Sequence, residues 1–120
     1  MKELTKAEED IMQYVWKLKN AKVADIIEEM PEPKPAYNTV STLIRILEQK
    51  GFVGYQKKGR GHVYFPKVEQ AQYKNVSMKK LINTYFEGSF SSMVSFFMKK
   101  NDMSLTDLEQ IMQELNKKEE

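Results

Sequence analysis

The apolar positions between residues 36 and 50 recur with the period of a helix. Val40, Leu43, Ile44 and Leu47 fall at i, i+3, i+4 and i+7 and make one stripe. At about 100° per residue, Asn38, Thr42, Arg45 and Gln49 lie on the opposite face, with Ser41 at its edge. Solvated helix faces are usually built of Glu and Lys, which favour helix and solubility. This face instead carries short hydrogen-bonding side chains and one arginine toward its N-terminal end. Gly51 is a suitable residue to end the helix.

The flanking pattern is helical before this stretch and extended after it. Thr5 and Glu8 have capping-box spacing and open a helix expected over 6–18, with Ile11, Val15 and Leu18 facing inward. Met12 and Trp16 sit beside that stripe, and Trp16 reads as core. Residues 20–23 read as a brief strand leading into a second helix over 23–30. Pro31, Pro33 and Pro35 then force an extended loop. Two short helices joined by a turn, the second with a polar outer face, follow the logic of a helix-turn-helix. Residues 52–57 and 62–65 are rich in aromatic and β-branched side chains and read as paired strands, joined by Lys57-Lys58-Gly59-Arg60-Gly61.

Beyond Pro66 the period is helical again, over three segments. Met78, Leu81, Ile82, Tyr85 and Phe86 stripe the first, which Gly88 breaks. Phe90, Met93, Val94, Phe97 and Met98 stripe the second, with Phe96 beside them, and Asn101-Asp102 ends it. Ser104 and Asp107 mark the start of the third, striped by Leu105, Leu108, Ile111, Met112 and Leu115. Three short helices make a marginal core by themselves, so these faces are expected to pack against a second copy of the chain. The expected fold is therefore mainly α with a small β-hairpin wing. It comprises a winged helix-turn-helix DNA-binding domain over 1–66 and an all-helical dimerisation domain over 67–120.

Charge sharpens the picture. The net charge is +2, but residues 1–33 carry −3, residues 34–67 carry +6 and residues 68–120 carry −1. Concentrated positive potential attracts phosphate backbones, and here it coincides with the polar-faced helix and the hairpin. The 120 residues contain no cysteine and a single histidine, His62. That removes thiolate chemistry and argues against imidazole metal sites and a Ser-His-Asp triad, and no paired carboxylates or phosphate-binding glycine loop point to an enzyme. His62 reads as structural or solvated. No apolar run approaches the ~18 residues of a membrane span, and a cytoplasmic protein with no metal and no cofactor is expected.

Asn and Arg can contact base edges bidentately, and Ser or Thr can reach bases or phosphates. Asn38, Thr39, Ser41, Thr42 and Arg45 are therefore the candidates for the major groove, and Lys57, Lys58 and Arg60 for backbone or minor groove. The competing reading is a winged-helix protein-interaction module that does not bind DNA.

The sequence also resembles the penicillinase-repressor family, winged-helix transcriptional repressors of the BlaI and MecI type. Leu4-Thr5, Glu8, Ile11-Met12 and Trp16 match its opening, and Thr39-Val40, Thr42-Leu43, Arg45, Leu47 and Lys50-Gly51 its recognition-helix segment. Gly59-Arg60, Tyr64 and Pro66 match its wing, and Phe86, Gly88-Ser89 and Val94 its dimerisation region. The resemblance implies a homodimer on a palindromic operator before antibiotic-resistance genes, controlled by a membrane sensor-protease that cuts the dimerisation helices. The family's Asn-Phe cleavage bond aligns with Phe96-Phe97, where Phe97 matches and Phe96 departs from the pattern. Copper-sensing relatives carry a cysteine cluster near the C-terminus, a mode of control this chain lacks. The dimerisation residues expected are Leu81, Tyr85, Phe86, Phe90, Met93, Val94, Phe97, Leu108, Ile111, Met112 and Leu115.

Overall fold

The computed structural model describes the backbone of residues 1–101 and 103–119 and the side chains of 1–101 and 103–114. The elements run α1 (Lys6–Leu18), α2 (Val23–Glu29), α3 (Tyr37–Gln49), β1 (Val53–Lys58), β2 (Gly61–Pro66), α4 (Gln70–Phe86), α5 (Phe90–Lys100) and α6 (Leu105–Glu119). They form two compact units, Met1–Tyr73 and Lys74–Glu120. Asp102, expected to help end α5, and the side chain of Leu115 lie outside the described residues.

In the first unit the predicted stripes become the core. Ile11, Met12 and Val15 of α1 meet Ile26 of α2 and Val40, Ile44 and Leu47 of α3, all at most 1% exposed. Phe52, Val53 and Tyr64 of the hairpin region close the cluster. Trp16 belongs to it as expected, and its indole N–H donates to the Val68 carbonyl at 2.8 Å. The brief strand at 20–23 reduces to one bridge: Ala21 and Tyr64 exchange backbone hydrogen bonds of 2.9 and 2.8 Å, which pins the hairpin beside α1. The hairpin is antiparallel, with Tyr55 opposite Tyr64 and Lys58 opposite Gly61. Its turn is shorter than the five-residue connection read from the sequence. Gly59, at φ 62°, supplies the left-handed residue of a two-residue turn, so the strands pair one step further on each side.

The unit extends past Pro66, where the sequence reading ends the first domain. Tyr73, in the first turn of α4, lies 5.6 Å from the Trp16 ring and 5.7 Å from that of Phe52, and its hydroxyl donates to the Glu9 carboxylate.

Thr5 caps α1 by accepting the Glu8 N–H at 3.2 Å. The Glu8 carboxylate accepts the Thr5 hydroxyl at 2.7 Å and pairs with the Lys50 ammonium, which also donates to the Glu3 carbonyl at 2.8 Å. Glu8 is only 3% exposed. Burial pushes its carboxyl up, but the Lys50 and Thr5 hydrogen bonds and the Lys50 charge outweigh burial and hold it below the ordinary 4.5. A carboxyl whose pKa is lowered by folding stabilises the fold above its unfolded value, and the contribution is lost as pH falls through the folded value. Wild type is therefore expected to lose urea resistance steadily below about pH 4.5, the unfolded carboxyl value. Glu8→Gln should start lower at pH 7 and lose less over that range. Parallel pH curves for the two proteins would contradict this role.

In the second unit, Ser89 caps α5 by accepting the Ser92 N–H at 3.1 Å. Ser104 and Asp107 complete the expected cap of α6, with bonds of 3.1 and 3.2 Å in the two directions. Gly88, at φ 81°, ends α4. The helices form as their periodicity predicts, yet α4 and α5 contain no buried residue.

Candidate nucleic-acid interface

On α3 the buried stripe turns the polar face outward. Asn38, Thr39, Thr42 and Arg45 are exposed and Ser41 is half-buried at the edge, as the spacing requires. Ala36 precedes the helix without a side-chain cap, and the first turn holds no acidic residue. The N-terminal end of α3 is thus electrostatically open to an anion.

Lys57, Lys58 and Arg60 are all exposed around the hairpin turn. Arg60 sits in the turn itself, and Lys57 and Lys58 stand on β1 opposite His62 and Gly61. A groove of about 260 Å³ runs between α3 and the turn, lined by Ser41 and Arg45 on one side and Arg60 and His62 on the other. The structure therefore brings Ser41, Arg45 and Arg60 to one concavity, while Lys57 and Lys58 stay outside its lining. His62 is stacked on Tyr55, with ring centroids 4.5 Å apart. Among the described residues no group of three or more His, Asp or Glu side chains could hold a metal. Arg45 lies close enough to Tyr64 to oppose the effect of burial, which pushes the tyrosine hydroxyl up.

Two of the seven cations in the basic middle third serve the fold. Lys50 is taken up by Glu8. The Lys34 ammonium donates to the carbonyls of Ile27, Glu28 and Met30 at 3.0, 2.9 and 2.7 Å, closing the C-terminal end of α2. The cations left facing outward gather around α3 and the hairpin. Lys22 and Tyr37, which the sequence reading passed over, also line the groove. The signal for Lys22 was its place beside Ala21, whose bridge to Tyr64 brings it to the hairpin.

In the second unit an apolar groove of about 680 Å³ is lined by Leu81, Phe86, Phe90, Met93, Val94, Phe97, Leu108, Ile111 and Met112, together with Phe96, Met78, Met98 and Met103. The stripes of α4, α5 and α6 thus converge on one surface. Tyr85 is 75% exposed and stands outside this lining.

A family model described as "Penicillinase repressor" matches residues 4–117. The chain belongs to the penicillinase repressor family. A methicillin resistance regulatory protein, MecI of Staphylococcus aureus strain N315, is 35% identical over 117 residues, spanning 97% of this chain and 95% of that protein. The solution structure of the DNA-binding domain of the repressor BlaI is similar with 27% identity and a TM-score of 0.52, covering 61% of this chain and 94% of that one. The Bacillus licheniformis BlaI monomer in complex with the blaP half-operator is similar with 26% identity and a TM-score of 0.50, covering 60% and 89%. Membership of the penicillinase repressor family agrees with the fold built above, a mostly helical chain with a two-stranded wing. Among the described residues no helix is long and apolar enough to cross a membrane.

Proposed function

We propose that this chain, a DNA-binding repressor by its family, binds a palindromic operator as a homodimer and blocks transcription by excluding polymerase. The observation that carries the reading is the shared groove of α3 and the hairpin turn, where Ser41, Arg45 and Arg60 face outward together. Asn38, Thr39, Ser41, Thr42 and Arg45 enter the major groove, some reading bases and others holding phosphate. Lys57, Lys58 and Arg60 hold backbone or minor groove. Helices α4, α5 and α6 supply the dimer contact, and two-fold symmetry places two half-sites about one or two helical turns apart. The MecI and BlaI likeness suggests an antibiotic-resistance operon as the target, with release by loss of the dimer or by a membrane sensor-protease. The Phe96–Phe97 bond lies inside α5, so a cut there requires that helix to open locally first.

The test is binding to the gene's own upstream duplex and to a scrambled duplex, each across a salt series. A preference of about 10³-fold or more for the upstream site, with steep salt slopes on both, supports the proposal. Absence of binding to either at low salt removes it. Arg45→Ala is expected to cost roughly 1–3 kcal/mol on the operator and to relax selectivity at one base pair. Lys58→Ala should weaken both duplexes alike and lower the salt slope by about 1. Equal losses on operator and scrambled DNA for Arg45→Ala would remove its base-reading role.

A further inference from the structure

We propose that the groove between α3 and the hairpin turn seats the sugar–phosphate strand that separates the major from the minor groove, with Lys22 as a phosphate contact outside both recognition elements. The inference rests on the reading of α3 as the major-groove element and the hairpin tip as the minor-groove element. The two grooves of B-DNA share a wall of sugar and phosphate. A protein with one element in each groove must therefore pass that wall between them, and here the space between them is the cleft of about 260 Å³.

The lining fits a phosphodiester. Lys22, Arg45 and Arg60 reach the cleft from three different segments, and Tyr37 and Ser41 add hydroxyl groups. No carboxylate lines it, and none of the three cationic side chains is joined to one among the described residues. Lys22 is placed by the fold. The Ala21–Tyr64 bridge holds its backbone against β2, and its side chain runs over Gly61, where an added methyl group would meet the Lys22 Cε at 4.0 Å. Among the described residues the Lys22 ammonium has no carboxylate partner, and a strand phosphate supplies an anionic one, with the release of a counterion favouring the contact.

The test uses the full chain and the duplex that wild type selects from a randomised pool. Lys22→Ala, which removes an exposed side chain, should melt like wild type. It should lower the slope of log affinity against log salt by about 1 and weaken binding roughly tenfold at low salt. Single neutral methylphosphonates are then placed along the strand between the footprints of α3 and the hairpin. At one position the substitution should cost wild type about the same factor and cost Lys22→Ala nothing further. An unchanged salt slope, or a Lys22→Ala loss undiminished at every substituted position, would overturn the assignment while leaving operator recognition standing. Failure of wild type to select any duplex would remove the DNA reading and this inference together.

Discussion

Given the proposed pairing of two copies, replacing Phe97 with aspartate is expected to leave a monomer and to weaken operator binding by about 10²–10⁴-fold, the factor by which linked sites exceed a single one. Phe97 is 54% exposed in the single chain and lines the apolar groove of the second unit. Around it Phe90 and Phe96 are 63% and 57% exposed, and Met112 is 55% exposed. Proteins rarely leave a contiguous apolar surface of that kind uncovered, and α4 and α5, which supply most of it, contain no buried residue in the single chain. Burying an aspartate in their midst costs more than a pairing of this size returns. The winged unit does not contain Phe97, so its thermal transition should be unchanged. Sedimentation of the purified variant decides the matter: a dimer that persists at micromolar concentration would refute the role given to this surface.

Phe52→Ala should destabilise the first unit by about 3–5 kcal/mol, the usual cost of emptying a core phenylalanine. Phe52 is the largest side chain that is fully buried, at 0% exposure. Its N–H donates to the Leu47 carbonyl at 2.9 Å and its carbonyl accepts the Lys67 N–H at 2.8 Å, so the residue fastens the end of α3 to the segment after the hairpin. Domains of this size have only about 5–15 kcal/mol in total. The variant should therefore unfold at a far lower urea concentration and lose DNA binding through unfolding alone. Trp16, the single tryptophan, lies in the same core and reports the transition by fluorescence. A loss under about 1 kcal/mol would mean the cavity collapses and the residue is not the keystone its burial suggests.

The fold was legible where local rules decide it. Val40, Ile44 and Leu47 are buried because a period of 3.6 leaves them one side to face, and Thr5 caps α1 because its spacing to Glu8 is local. The polar face of α3 followed from the same geometry. What the sequence hid are contacts between distant residues. Lys50 reads as part of a basic surface, yet its partner Glu8 is 42 residues away. Lys34 reads as loop charge, yet it closes α2. Tyr73 lies beyond a proline that looks like a boundary, and only its contacts with Trp16 and Phe52 assign it to the first unit. Lys22 was missed for the same reason: its neighbour in space is Gly61, across a one-residue bridge that no periodicity announces.

The position of Tyr73 has a consequence for any severed form of the molecule. A chain broken in α5 keeps the whole first turn of α4, so the Trp16–Tyr73–Phe52 cluster and the Glu9 hydrogen bond remain on the amino-terminal piece. That fragment retains the whole of the first compact unit, Met1–Tyr73. On the proposed function it is left able to read a single half-site, competing weakly with intact copies until it is degraded or diluted by growth. Restored transcription after such a break would then track the lifetime of the fragment as well as the rate of cutting.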